Sequence, residues 1–339
     1  MKLSLRITAF LFQGSSIQKT FAKMTLVHRT LVQKTLVLGA CIALCSWTFA
    51  SPAYGQNGRI GFDVSGSIDW IQGELNAEVS FDLAQAGIRL PTGRFMGEEA
   101  LNDAYPRLLL PSLLSLKVDS SSTIRDLVDR REISLQELDA ICKEAGKIPP
   151  SLSSNLTRMI GRYSILMEKI SAMFILQSRA IEPRRPLISA LTADYTGIIV
   201  IAERELPVHG RNSRALVEPC LFPKIWDTNM NLIYERNMIN PPRGKEGALM
   251  VRYAVPESIF RPTPSGLDGD LAALLGPNPL RILARGTFGI FPTDLIIDSE
   301  DAMKILSTEN NRRLLREGRV ALVLNEEILK KSVFNERNQ

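Results

Sequence analysis

The sequence predicts an α+β protein of two lobes, a strand-helix lobe extended by a helical insertion and a mainly antiparallel β lobe with short helices. Three observations predict it. Leu75, Ala77, Val79, Phe81 and Leu83 alternate strictly with Glu74, Asn76, Glu78, Ser80 and Asp82, the pattern of a half-buried antiparallel strand. The run from Arg94 to Leu116 carries Ala100, Ala104, Leu108 and Leu109 at helical spacing. Beyond Pro183 and Pro186, short apolar runs alternate with turn residues down to Leu324.

Taken in order, residues 1–55 hold Lys2, Arg6, Lys19, Lys23, Arg29 and Lys34 and no acid, followed by the apolar run Thr35 to Ala50 and the small residues Ser51 to Gly55. A basic stretch, an apolar core and small residues make a secretory signal. The core, about sixteen residues, falls short of the roughly twenty that span a bilayer. The basic stretch is long for a signal, so translation is expected to start at Met24. Removing residues 1–55 takes the formal charge from +5 to −1, which leaves no electrostatic case for nucleic acid. The exported chain is expected in the periplasm.

Residues 56–130 form the strand-helix unit. Ile68 and Trp70 are apolar on even positions whereas Leu75 to Leu83 are apolar on odd ones, and one strand bent by a bulge at Gly73 accounts for the change. Pro106 and Pro111 predict a kink or break in the following helix. Residues 131–182 read as a helical insertion. Its first helix opens on the capping box Ser134 to Glu137 and stops at Gly146. Its second, a long helix over 151–179, carries Leu152, Leu156, Met159, Tyr163, Leu166, Ile170 and Met173 in alternating steps of four and three, an apolar seam. Two readings of that seam stand, a core face within the lobe and a contact between copies.

Residues 183–188 read as a linker and 189–325 as the β lobe. Ile198 to Ala202 is an unbroken apolar run and hence a fully buried strand. A hairpin turns at Asp227 to Asn229, and strands follow over 248–255, 280–288, 293–297 and 319–324, with helices over 270–275, 302–308 and 310–317. Residues 326–339 read as a polar, frayed tail.

Trp70 to Gly73, Thr92-Gly93-Arg94, Ala100, Asp103-Ala104, Leu108-Leu109, Val118-Asp119-Ser120 and Thr123 to Asp126 give the first half its resemblance. It resembles the flagella-associated outer-membrane lipoproteins, the family of flagellar assembly lipoprotein P and the twenty-kilodalton helicobacter lipoprotein. The two prolines depart from that family's helix. Tyr195 to Ile199, Phe222 to Asp227, Tyr234, Ala284-Arg285-Gly286 and Asp301-Ala302 are similar to the second portion of longer envelope proteins related to it. The resemblance implies a non-catalytic envelope protein associated with the outer membrane or the flagellum.

Candidate chemistry is sparse. Cys41 closes a lipobox, Leu38-Gly39-Ala40-Cys41, and is the candidate lipidation site, set against simple signal cleavage further on. Of four cysteines, Cys142 and Cys220 survive signal removal, either as a disulfide in an oxidising envelope or as two unpaired core residues. Asp298, Glu300 and Asp301 read as a helix N-terminus rather than a cation site, and Asp268 and Asp270 as turn residues. His209 has no nucleophile in its loop, and Trp70 and Trp226 sit within strand patterns. No catalytic, cofactor-binding or metal-binding residue is expected, and no cofactor.

The functional expectation is a non-enzymatic scaffold, periplasmic or outer-membrane-associated, a component of a flagellar motor or envelope ring. It would assemble as a homo-oligomer with envelope or flagellar proteins as partners, through edge pairing of Leu75 to Leu83 helped by the seam. Its rivals are a periplasmic binding module for a lipid or cell-wall fragment and an unrecognised hydrolase.

Overall fold

The computed structural model describes residues 61–242 and 249–330 and the backbone of Ser332–Arg337. The expected signal segment, the start at Met24 and Cys41 lie outside the described residues. The α+β class with two lobes holds.

The first lobe begins with β1 (Phe62–Asp69) and β2 (Glu74–Asp82), antiparallel neighbours in register from Phe62 opposite Phe81 to Asp69 opposite Glu74. These are two strands of a hairpin, where one bent strand was expected. Facing residue numbers add to an odd total, so even positions of β1 share a face with odd positions of β2. That geometry produces the same change of parity as a bulge. Gly73 turns the corner at φ 68°, a left-handed conformation that glycine adopts without a Cβ penalty, and Asp69 Oδ1 accepts the Ile71 and Gln72 amides.

Across the buried face lies α1 (Arg94–Leu114), unbroken through Pro106 and Pro111, contrary to the expected interruption. Each proline removes one rung of the helix, but Leu101, Tyr105, Leu109 and Leu113 recur every fourth residue and are all buried in the core against the sheet. Apolar contact along the whole length outweighs two lost hydrogen bonds. The buried stripe sits one position beyond the Ala100, Ala104, Leu108 set. Capping boxes at Thr123 and Ser134 start α2 (Ile124–Asp129) and α3 (Leu135–Lys143).

The expected long helix over 151–179 is not there. β3 (Gly146–Leu152) and β4 (Arg158–Leu166) form a hairpin, followed by the short α4 (Met167–Ala172). β4 pairs with β2 over nine positions, and Met159, Tyr163 and Ile165 enter the core from alternate positions. A step of four fits a strand face as well as a helix face, so Met159 and Tyr163 satisfied both periods. The remaining seam residues scatter: Leu152 ends β3, Leu156 is exposed in the turn at φ 58°, Leu166 points outward, Ile170 is buried in α4 and Met173 is half-buried beyond it. No helical face joins them for a contact between copies.

In the second lobe a core sheet contains β5 (Ile198–Ala202), β10 (Arg252–Ala254), β11 (Leu280–Leu283) and β14 (Val320–Leu324) in the order β10-β14-β5-β11, with every neighbouring pair parallel. Four short strands separate β5 from β10 in the chain. They are β6 (Leu206–Pro207), β7 (Arg214–Ala215), β8 (Ile225–Asp227) and β9 (Leu232–Tyr234). With β12 (Gly286–Phe288) and β13 (Asp294–Ile297), β8 and β9 complete a second sheet, β12-β13-β8-β9, in which β8 and β9 form the expected hairpin. The uninterrupted apolar runs of β5 and β14 follow from burial on both faces: one joins the main core and the other, through Ile199, Ala321 and Val323, packs with Leu271 and Leu275 of α5 (Gly269–Leu275). The helices α6 (Ser299–Leu306) and α7 (Glu309–Arg316) precede β14.

The described part of the expected tail is not frayed. After α8 (Glu326–Leu329), β15 (Ser332–Arg337) pairs with β1, which makes the first sheet β15-β1-β2-β4-β3. β2 is therefore interior, with β1 and β4 already on its two sides, so edge pairing through Leu75 to Leu83 has no free backbone to use. The edge strand β3 carries Pro149 and Pro150, which remove two amide donors from that margin. Residues 183–188 are not a free linker either. The segment around them is pinned to the second lobe by Ile181 N to Asn237 O at 2.8 Å, by a Glu182–Arg316 ion pair and by Ala190 N to Ser307 Oγ at 2.8 Å.

Candidate functional site

A dense set of buried polar contacts lies where the lobes meet. Between α1 and α2 the chain makes a tight turn: Val118 N donates to Ser122 O at 2.8 Å, and Asp119 Oδ1 accepts the amide and hydroxyl of Ser121. This leaves Ser120 at the tip, buried in the second lobe. Ser120 Oγ donates to Asp294 Oδ2 at 3.0 Å, and Ser120 O accepts Phe291 N at 2.9 Å. The flanks of the turn are tied down as well, by Leu221 N to Lys117 O at 3.0 Å, Phe222 N to Val118 O at 2.8 Å and an ion pair of Lys117 with Glu218.

Asp294 is the hub. Its Oδ1 accepts the Lys224 amide at 3.1 Å, its Oδ2 accepts Trp226 Nε1 at 3.1 Å beside the Ser120 hydroxyl, and its carbonyl accepts Thr287 Oγ1 at 2.8 Å. The side chain is fully buried and makes no salt bridge among the described residues. Burial raises its pKa above the usual carboxylate value, against the pull of the Trp226, Lys224 and Ser120 hydrogen bonds. A carboxylate sealed from solvent, with both oxygens occupied by protein donors, is placed to hold structure rather than to take a proton from a substrate.

A second set of contacts lies beside it. Tyr253 Oη donates to the Cys220 carbonyl at 2.8 Å and accepts the Cys220 amide at 3.0 Å, while the Tyr253 ring meets Trp70 of the first lobe edge to face at 5.4 Å. The Trp70 amide donates to Leu329 O at 3.3 Å. Replacing Tyr253 with Phe removes both bonds to Cys220 and is expected to cost about 2 kcal/mol, read from urea unfolding.

Cys142 and Cys220 are both free and both buried, so the disulfide alternative is overturned in favour of two unpaired core residues. Cys142 packs in α3 of the first lobe, whereas Cys220 lies in the second lobe beneath Tyr253. Burial pushes the Cys142 thiol up to about 12 and the Cys220 thiol higher still. Neither is expected to react with iodoacetamide in the native protein at neutral pH, and both should be alkylated after denaturation, as peptide mass mapping would read.

Other candidates also resolve. Asp298 bonds Arg285 at 2.7 Å instead of capping α6 with its side chain, and Asp301 pairs with Lys304. Asp268 caps α5 through the Leu271 amide. His209 is exposed, with its ring near Phe288. Trp70 is core, and half-buried Trp226 serves Asp294. Among the described residues no group of acids, histidines or cysteines is arranged to hold a metal ion, and no helix is long and apolar enough to cross a membrane.

One open groove of about 450 Å³ crosses the outer face of the first sheet, with Ser65, Ser67, Asn76, Glu78, Arg162 and Ser164 among its lining. Glu78 and Arg162 are paired there at 3.0 Å.

Fold and joint together define a two-lobed α+β protein whose lobes are locked through buried hydrogen bonds. Residues 61–173 match the family described as the N-terminal domain of Treponema pallidum Tp0624, and residues 197–326 match the family described as its second domain. The two matches occur in the order of the lobes and end close to their limits. No curated protein matches the chain. These matches do not bear on the flagella-associated resemblance.

Sequence reasoning missed Ser120, Asp294 and Tyr253 as a set. A signal existed for one of them, since Asp294 opens the otherwise apolar run Asp-Leu-Ile-Ile, and a lone acid in a fully buried strand needs donors from elsewhere.

Proposed function

We propose that the protein is a non-enzymatic scaffold of the cell envelope. It acts in the periplasm at or near the outer membrane, as repeated copies within a flagellar-motor or other envelope assembly, the setting that the resemblance implies. The observation that carries this reading is the joint: two lobes from separate parts of the chain share one continuous apolar core and a sealed hydrogen-bond hub. An element that transmits load or sets spacing in an assembly needs its lobes fixed, whereas a hinged enzyme keeps its interdomain contacts weak. Sedimentation velocity over a range of concentrations should give a mass that grows beyond one chain, and deletion of the gene should alter envelope architecture or motility. A monomer at high concentration together with an unchanged envelope contradicts it.

A second reading, a module that binds a cell-wall fragment or lipid, draws on the open groove of the first sheet. Hydroxyls, an amide and a carboxylate–guanidinium pair stand there beside Ile148 and Tyr163, a mixed lining that suits a sugar or peptide with both polar and apolar faces. Calorimetric titration with muropeptides decides it.

A further inference from the structure

The span from Pro183 to Leu191 crosses the second lobe without regular structure and carries Leu187, Ile188 and Leu191 at 104%, 81% and 103% exposure. Three aliphatic side chains largely turned to solvent within five positions are a cost in water unless something covers them. The span is held, not loose: Glu182 pairs with Arg316 before it, Ala190 is bonded to Ser307 within it, and Pro183 and Pro186 fix two backbone angles. Arg184 and Arg185, both exposed, form no ion pair among the described residues, and no acid occurs between Glu182 and Asp194. Beneath the span a gap of about 470 Å³ is lined by Leu232, Met303 and Leu306 as well as by both arginines. The Asp227 carboxylate at its wall is taken up by the Asn229 and Asn231 amides and by Asn231 Nδ2.

We infer that this strap docks the protein on an anionic lipid surface. Leu187, Ile188 and Leu191 enter the headgroup–acyl boundary, and Arg184 and Arg185 meet lipid phosphates. Two free guanidiniums beside exposed aliphatics, with no carboxylate among them, match such a surface in both charge and polarity. An acyl chain leaving the boundary meets Leu232, Met303 and Leu306 in the gap rather than water. A protein partner is the other class of occupant, but the strap has no aromatic anchor and no acid to pair across an interface. The inference goes beyond the scaffold reading and stands without it, because sedimentation reports assembly whereas the experiment below reports one side chain.

The test places an environment-sensitive nitrobenzoxadiazole probe at Ile188→Cys in the full chain, with Cys41 and Cys45 replaced by Ser, and the same probe at Phe260→Cys as a control. Vesicles of phosphatidylglycerol and phosphatidylcholine in equal parts should shift the Ile188 probe to the blue and expose it to quenching by nitroxide-bearing lipid. The Phe260 probe should stay in water. Vesicles of phosphatidylcholine alone should give no shift, and replacing Arg184 and Arg185 with Gln should weaken partition about thirtyfold. No response to the anionic vesicles overturns the inference, as does an equal response at Phe260. A blue shift without lipid that grows with protein concentration also overturns it and assigns the strap to a protein contact.

Discussion

Asp294→Ala is expected to lower the unfolding free energy by about 4 kcal/mol. The change leaves the Ser120 hydroxyl, the Lys224 amide and the Trp226 indole N–H without the buried acceptor they share. An unsatisfied buried donor costs about 1–3 kcal/mol, and partial entry of water into the vacated space offsets some of the sum. Urea unfolding of the variant against the parent measures it. The same site predicts a pH dependence. Because the folded-state pKa of Asp294 is raised, the folded protein holds this proton more tightly than the unfolded chain does. Its titration therefore favours the fold in acid, and that contribution is lost as pH rises from the ordinary carboxylate range through the raised value. Asp294→Asn retains the side chain's size but has no proton to titrate, so the stability gap between parent and Asn variant should change over that window and level off above it.

Gly289→Ala should cost about 3 kcal/mol through a different route. Gly289 sits at φ 118°, outside the reach of ordinary side chains, and an added Cβ would lie 2.3 Å from the Ser120 Cβ and 2.6 Å from the Phe291 carbonyl oxygen. Backbone strain and overpacking each contribute about 1–3 kcal/mol. The loop that clasps the Ser120 turn has to move, so the damage falls on the joint. Hydrogen exchange should report it as faster exchange at Phe222 and Phe291, whose amides cross to the first lobe, with the centre of β5 protected as before.

Where the apolar period was unambiguous, the sequence was sufficient. The alternation from Leu75 to Leu83 gave β2 and its buried face, the unbroken runs gave β5 and β14, and Ser134 with Glu137 gave the start of α3. It failed where two periods agreed with the same residues. Met159 and Tyr163 lie four apart, which satisfies a helix and a strand alike, and only the nine-position ladder with β2 decides between them. The parity change near Gly73 had the same ambiguity, since a bulge and a hairpin turn both reverse the buried face. Pro106 and Pro111 argued locally against a helix that tertiary packing sustains. The joint was hidden for another reason. Ser120, Trp226 and Asp294 are each ordinary in their own segments, and their meaning arises from separations of 174 and 68 residues that no local pattern encodes.

The central claim is that the two lobes form one body locked through Asp294, and differential scanning calorimetry tests it most directly. Under conditions where heating is reversible, the described fold predicts a single transition whose calorimetric and van't Hoff enthalpies agree, which splits or broadens in Asp294→Ala as the lobes uncouple. Two resolved transitions in the unaltered protein, with Asp294→Ala leaving both in place, would contradict it.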